Sequence, residues 1–170
     1  TGSQGKTVTA HLLDSILNHA GKSTGTLSSI ESHLNSAGDI LEEMTPPQIA
    51  TVAKSMVSSG YQNMIVEVPS RWMAEKKLAG LQLDLAIITN VRREHLAQHT
   101  TAENYLRAKL SILDQLGETG IAILNADDTQ LRKYLNQLSI PALTFAVGQP
   151  AEVQARLIER SKSEQCFLLK

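Results

Sequence analysis

The chain has 170 residues, of which 42% are hydrophobic and 19% are charged. This balance is typical of a globular domain and excludes both a disordered chain and a small protein that depends on disulfides. The 16 Lys and Arg residues nearly balance the 17 Asp and Glu residues, so the net charge of −1 gives no reason to expect nucleic acid as a partner.

Predicted helices and strands alternate along the chain. Helices are predicted at 7–20, 47–59, 101–116 and 129–137, and strands at 64–68, 85–89, 121–124, 143–147 and 166–169. The first three strands have the continuous aliphatic character of strands buried on both faces of a parallel sheet. The pattern predicts one domain of the α/β class, with a mostly parallel sheet flanked by helices.

The sequence also predicts the environment of two single residues and the absence of a membrane span. Cys166, the only cysteine, lies in an apolar run and is expected to be buried and inert. Trp72 is expected to pack rather than to line a cleft. No apolar run reaches membrane-spanning length and no signal-peptide pattern is present, so we expect a cytoplasmic protein without a membrane span.

A glycine-rich segment at the start of the chain has the pattern of a phosphate-binding loop (P-loop). Residues 1–7 read Thr-Gly-Ser-Gln-Gly-Lys-Thr and lead into the first predicted helix. In such loops, backbone N–H groups and the helix N-terminus surround phosphate, the lysine adds charge, and the threonine can bind Mg²⁺. The alternative is an ordinary glycine turn. We predict ATP contacts at Gly2, Ser3, Gln4, Gly5, Lys6 and Thr7.

Polar side chains follow the first three predicted strands, where ligands collect in open α/β sheets. Glu67 closes the first, a segment with His95 follows the second, and residues 125–128 follow the third. Carboxylate and imidazole can both bind metal, so Glu67 and His95 are candidates to join Thr7. By themselves, His95 fits a surface loop and residues 125–128 fit a turn with a helix N-cap. Lys109 by itself fits a solvated helix position.

In this order the motifs resemble the central, ATP-binding domain of the Mur ligase family, most closely its MurE type. The resemblance covers nearly the entire chain. Its segments are residues 1–7, Gly25-Thr26-Leu27, Thr45-Pro46, Glu67-Val68-Pro69-Ser70, residues 89–96, residues 103–109 and residues 124–128.

The resemblance implies an ADP-forming ligase that uses ATP to add an amino acid to a UDP-N-acetylmuramoyl peptide in peptidoglycan synthesis. The implied catalytic residues are Lys6, His95 and Lys109. The implied Mg²⁺ ligands are Thr7, Glu67, His95 and Lys109, the last as a carbamylated lysine. Asn125 and Asp127 are expected near the adenine, and Thr45, Ser70 and Lys77 on the side of the UDP-muramoyl substrate.

The family also has a UDP-binding N-terminal domain and a C-terminal domain that helps to bind ATP and the amino acid. We therefore expect residues 1–170 to be a central-domain fragment that lacks its first strand and both flanking domains. We hypothesise that this fragment alone forms no amide.

Several positions depart from the family pattern. Pro69, Arg71 and Lys77 stand where the family has Ser, His and Arg, all on the acceptor side, whereas the phosphate and metal residues are retained. Further departures are Gln4, Met44 and Glu94. Two alternatives stay open: a ligase with another acceptor, of the cyanophycin or folylpolyglutamate type, and a catalytically silent nucleotide-binding module.

Overall fold

The computed structural model describes residues 1–29, 43–92, 102–161 and 164–170. The described residues divide into two compact units. Unit 1 is drawn from Thr1 and residues 5–80, and unit 2 from residues 2–4 and 81–170.

The described part of unit 1 is a parallel strand pair with helices. Its elements are α1 (Lys6–His19), β1 (Thr24–Leu27), α2 (Pro46–Ser58), β2 (Asn63–Val66) and α3 (Ser70–Ala74). β1 and β2 pair from Thr24 opposite Asn63 to Leu27 opposite Val66. This register brings the residues after both strands to the same end of the pair.

The described part of unit 2 is a sheet with helices. Its elements are β3 (Leu83–Ile88), α4 (Ala102–Leu110), a 3₁₀ helix (Ser111–Gln115), β4 (Leu116–Asn125), α5 (Thr129–Leu135), β5 (Ala142–Ala146), β6 (Val153–Arg160) and β7 (Gln165–Leu169). The strand order is β3-β4-β5-β6-β7, and only the β6–β7 pair is antiparallel. The carboxyl ends of β3 and β4 therefore meet at one edge.

The prediction of a mostly parallel α/β fold is confirmed. The predicted strands are present with shifted boundaries, and the helix predicted to reach residue 116 changes to 3₁₀ geometry after Leu110. Sequence patterns missed β1, α3 and β6. β1 has one large apolar residue, Leu27, and β6 mixes apolar with polar and charged residues, so neither contains a long aliphatic run.

Two burial predictions are wrong. Cys166 is exposed, because β7 is an edge strand of the described sheet and all five of its residues are exposed. β2 and β3 are not buried on both faces: the four residues of β2 are half-buried, and Leu85 in β3 is 53% exposed. In the described part of the chain, β2 pairs only with β1, so no second strand borders its other edge. No helix among the described residues is both long and apolar enough to cross a bilayer.

Trp72 packs as expected. Its side chain is 0% exposed, and it lies in α3 with Met73, which is also buried. An indole buries a large apolar area, so Trp72 is a major part of the core of unit 1.

Replacing this side chain tests its contribution to packing. Trp72→Ala is expected to lower the free energy of unfolding by about 3–5 kcal/mol, because it removes buried contacts and leaves a cavity. The measurement is urea unfolding followed by far-UV circular dichroism. The control is Val57→Ala at a 74% exposed position, where less than about 0.5 kcal/mol is expected. Equal losses in the two variants would contradict the assignment.

Candidate functional site

The glycine-rich segment leads directly into α1. Gly5 is the N-cap residue of α1 and has φ 79°, a left-handed conformation that glycine adopts without strain. The first N–H groups of a helix have no partner within it, and at α1 these belong to Gly5, Lys6, Thr7 and Val8. The helix dipole adds partial positive charge at the same place, so this end of α1 favours an anion.

Glu67 is the centre of a polar cluster in unit 1. Its carboxylate is buried, with 5% of the residue exposed. The Thr7 hydroxyl donates to Oε2 at 2.9 Å, and both the backbone N–H and the hydroxyl of Ser29 donate to the same oxygen at 3.1 Å. Lys6 Nζ lies 4.0 Å from Oε1. The structure therefore brings together three residues that the sequence predicted, Lys6, Thr7 and Glu67.

Ser29 is a member of this cluster that the sequence did not reveal. It follows β1 as Glu67 follows β2, and the Glu67 N–H donates to the Leu27 carbonyl at 2.8 Å, which extends the pairing beyond the strands. The hydroxyls of Ser29 and Thr7 are 3.2 Å apart. Ser29 was missed because the Thr-Gly-Thr-Leu sequence of β1 was not predicted to be a strand, and candidate residues were sought after predicted strands.

The donor atoms of the cluster suit a hard cation. One carboxylate and two hydroxyls provide oxygen, the ligand atom that Mg²⁺ prefers. His95, a further predicted ligand, lies outside the described residues. Across the described ranges there is no group of three or more His, Cys, Asp and Glu side chains that could hold a metal. A cation here would need oxygens from a bound phosphate as well.

Residues 2–4 lie along the segment that follows β3, within unit 2. The Ser3 N–H donates to the Asn90 carbonyl at 3.0 Å. Gly2 has φ 154°, and a Cβ on it would lie 1.9 Å from Thr89 Oγ1. Only glycine fits at this position of the loop.

Lys109 is buried, contrary to a solvated helix position. It is 1% exposed, its Nζ donates to the Gly2 carbonyl at 2.8 Å, and it lies 4.8 Å from the centroid of the Tyr105 ring. The Tyr105 hydroxyl in turn lies 3.0 Å from Ser3 Oγ. Two side chains on one face of α4 therefore contact residues 2 and 3 of the loop, which the spacing of the motifs did not indicate.

Asn125 and Asp127 form hydrogen bonds within unit 2. Asn125 Nδ2 donates to the Thr89 carbonyl at 2.9 Å, and its Oδ1 accepts from the Asp127 N–H at 2.9 Å. The Asp127 carboxylate accepts from the N–H groups of Val147 at 2.6 Å and Gly148 at 3.0 Å. These contacts fix the turn after β4. A role beside adenine stays a prediction.

Asp128 caps a helix, as the turn interpretation expected. Its Oδ1 accepts from the N–H groups of Gln130 at 2.8 Å and Leu131 at 3.0 Å at the start of α5. Its Oδ2 accepts from the Val91 N–H at 2.7 Å. One side chain therefore fixes both α5 and the segment after β3.

Thr45 and Ser70, predicted on the substrate side, lie at helix starts. Thr45 is the N-cap of α2; its N–H and its hydroxyl both donate to Gln48 Oε1 at 2.7 Å. Ser70 is the first residue of α3, after Pro69. The hydroxyl of Thr45 thus has a local structural role.

Lys77 belongs to an ion-pair network. Its Nζ lies 3.0 Å from Glu75 Oε2, while Arg71 Nε donates to Glu75 Oε1 at 2.6 Å. Hydrogen bonds from Arg71 and then from Lys77 hold the pKa of the Glu75 carboxyl below its usual range. Lys77 is 8% exposed, and Glu75 compensates its charge within unit 1.

The comparisons with known proteins point to one family. The model of the Mur ligase middle domain matches residues 1–170. Over 99% of its length the chain is 28% identical to the UDP-N-acetylmuramoyl-L-alanyl-D-glutamate--2,6-diaminopimelate ligase of Geobacillus thermodenitrificans, covering 36% of that ligase. The ligase of the same name from Listeria innocua is 30% identical over 100% of the chain and 36% of the ligase. The chain thus spans about a third of the length of these curated relatives.

Solved structures agree on the fold. A 2,6-diaminopimelate ligase of the same name superposes with a TM-score of 0.82 at 20% identity, covering 99% of the chain and 35% of that structure. MurF ligase from Thermotoga maritima in complex with ADP has a TM-score of 0.70 at 20% identity, over 99% of the chain and 36% of that structure. At such identities the likeness establishes the fold alone.

The close approach of Gly2 to Thr89 can be tested by substitution. Gly2→Ala is expected to lower the free energy of unfolding by about 1–3 kcal/mol, because the added methyl group overlaps the Thr89 hydroxyl. Urea unfolding measures the change. Gly117→Ala is the control, since a Cβ at Gly117 meets nothing closer than 4.0 Å. If Gly2→Ala is no more destabilising than Gly117→Ala, the described packing of the loop is wrong.

Proposed function

Since the chain belongs to the Mur ligase middle-domain family, we propose that it is the nucleotide-binding domain of a cytoplasmic, ATP-dependent and ADP-forming amide ligase of peptidoglycan synthesis. The acceptor would be a UDP-N-acetylmuramoyl peptide. The observation that supports this most directly is the cluster of Lys6, Thr7 and Glu67 at the start of α1, where a triphosphate and its cation require positive charge and oxygen ligands.

The phosphate-binding part of the proposal rests on the start of α1. The N–H groups of Gly5, Lys6 and Thr7 would donate to phosphate oxygens, and the Lys6 ammonium would neutralise charge. Lys6 Nζ stands at 4.0 Å from the carboxylate of Glu67, longer than a hydrogen bond. A phosphate can therefore compete for this cation. Gly2, Ser3 and Gln4 would contribute through the shape of the loop.

The magnesium part of the proposal rests on oxygen donors. Thr7 and Glu67 would hold Mg²⁺, with His95 as a predicted further ligand, and the ion would neutralise the phosphates. A site of one carboxylate, one hydroxyl and nucleotide phosphates is the composition that Mg²⁺ commonly takes. To bind the cation, the Thr7 hydroxyl would turn its proton away from Glu67.

The proposed reaction has two steps. An oxygen of the substrate carboxylate attacks the γ-phosphorus and ADP leaves. The nitrogen of the incoming amine then attacks the acyl carbon, phosphate leaves, and the amine loses a proton. The chain's own contribution is electrostatic: Lys6 and the N–H groups of α1 stabilise charge on the transferred phosphoryl group.

A different acceptor is the second candidate. The relatives are 2,6-diaminopimelate ligases by name, which supports a muramoyl peptide as the acceptor. Against this, the ammonium of Lys77 is paired with Glu75 and the hydroxyl of Thr45 with Gln48, so two residues expected to face that acceptor have intramolecular partners. A different acceptor, held by other groups, would leave both of these contacts in place.

Nucleotide binding tests the proposed function. In the intact protein, Lys6→Ala is expected to weaken ATP binding at least tenfold, because the phosphates lose a cation. Glu67→Gln is expected to remove most of the strengthening of ATP binding by Mg²⁺. Isothermal titration calorimetry with and without Mg²⁺ gives both values.

Matched controls isolate the two charges. Lys22→Ala and Glu103→Gln change residues of the same types at exposed positions, and parental affinity is expected from both. A Lys6→Ala variant that binds ATP as well as the parent protein would contradict the phosphate-loop assignment.

Carbamylation of Lys109 is a separate prediction of the proposal. In this reaction the neutral amine attacks CO₂, an N–C bond forms and a proton is released. The product is anionic and keeps a single N–H, in place of the three of the ammonium that donates to the Gly2 carbonyl at 2.8 Å. We expect a ¹³C carbamate resonance from protein incubated with ¹³C-bicarbonate. It should vanish in Lys109→Arg and persist in Lys133→Arg; no resonance in the parent protein would leave Lys109 as an ammonium donor.

A further inference from the structure

A reciprocal pair of hydrogen bonds links the side chain of Asn90 to the backbone of Gln4. The Gln4 N–H donates to Asn90 Oδ1 at 2.9 Å, and Asn90 Nδ2 donates to the Gln4 carbonyl at 3.0 Å. The side-chain amide thus forms the same pair of hydrogen bonds with Gln4 that a residue of a neighbouring strand would form. Its donor and acceptor are both used in one geometry, which fixes the orientation of Gln4.

Thr89 adds a second donor to the same carbonyl. Its Oγ1 donates to the Gln4 oxygen at 2.7 Å. Two donors from adjacent residues at the end of β3 therefore hold this oxygen. The same hydroxyl excludes a side chain at Gly2, since a Cβ there would come within 1.9 Å of it.

The orientation of this carbonyl determines where the next N–H points. The Gln4 carbonyl and the Gly5 N–H belong to one planar trans peptide group, in which the oxygen and the hydrogen point in opposite directions. Holding the oxygen against Thr89 and Asn90 therefore directs the Gly5 N–H away from them. Gly5 is the N-cap of α1, so this N–H is one of the donors at the helix start.

From this geometry we infer that Asn90, together with Thr89, is a positioning residue for the phosphate loop: the two side chains fix the Gln4–Gly5 peptide so that the Gly5 N–H is presented to a phosphate group. The inference rests on the proposed function for the identity of the anion. The pre-set peptide reduces the ordering that phosphate binding would otherwise require. Neither residue needs to touch the nucleotide.

The first experiment measures the hydrogen bond itself. In the nucleotide-free intact protein, amide hydrogen exchange of Gln4 is expected to accelerate at least tenfold in Asn90→Ala. The internal reference is the Thr9 N–H, which donates to the Gly5 carbonyl at 2.9 Å within α1 and should exchange at an unchanged rate. Unchanged exchange at Gln4, or equal acceleration at Thr9, would overturn the inference.

The second experiment measures the consequence for ATP. Asn90→Ala is expected to raise the Kd for ATP about tenfold at a temperature where the unfolding transition shows that the variant is folded. Asn90→Asp is expected to raise it further, because a carboxylate cannot donate to the Gln4 carbonyl. Asn136→Asp, at an exposed position, is the charge control and should bind as the parent does.

Thr89 provides an independent pair of variants in case Asn90→Ala folds poorly. Thr89→Val keeps the shape of the side chain and removes the donor, so weaker ATP binding is expected; Thr89→Ser restores the hydroxyl and should restore binding. Parental affinity in both Asn90→Ala and Thr89→Val, with binding lost in Lys6→Ala, would refute the positioning role and leave the proposed function standing. A parent protein that binds no ATP would refute the proposed function, while Gln4 exchange would still decide the role of Asn90.

Discussion

The buried carboxylate of Glu67 is the constraint on which the arrangement of unit 1 depends. A carboxylate that is 5% exposed is costly unless its oxygens are hydrogen-bonded or paired with a cation. Thr7 and Ser29 supply the hydrogen bonds, and Lys6 supplies a nearby positive charge. The start of α1 and the ends of β1 and β2 must therefore stay together. The same demand makes the cluster suitable for a cation, because Mg²⁺ would satisfy this carboxylate more strongly than hydroxyls do.

The glycine-rich loop satisfies two different requirements along its length. Residues 2–4 need fixed backbone positions, and they obtain them from the end of β3 and from α4 through Asn90 and Lys109. From Gly5 onward the backbone follows the helix, whose first N–H groups have no intrahelical partners. The loop is therefore ordered by one set of contacts and leaves another set of donors available for an anion.

The sequence predicted those elements and site residues whose pattern lies in neighbouring positions of the chain. The aliphatic run 85–89 identified β3 because its signal lies in consecutive residues, whereas the short Thr-Gly-Thr-Leu sequence of β1 contains no such run, and Ser29 was missed with it. Lys6, Thr7 and Glu67 could be predicted because motif and strand end mark them. The pairing of Gln4 with Asn90 joins residues 86 positions apart, and no periodicity reports a contact of that kind.

The segment predicted to face the acceptor contains two basic side chains that share one partner. Arg71 and Lys77 depart from the family pattern, and in the structure both bind the same carboxylate, Glu75. Each cation stabilises the ionised form of Glu75, and the exposed Arg71 pair contributes little energy. Lysine also lacks the planar fork by which arginine binds a carboxylate or phosphate with two hydrogen bonds. Any anion that approached Lys77 would therefore meet a cation that is already paired and that offers weaker directional binding. Of the residues predicted for the nucleotide site, Lys6, Thr7 and Glu67 come together in unit 1, whereas Lys77, predicted on the acceptor side, is paired with Glu75.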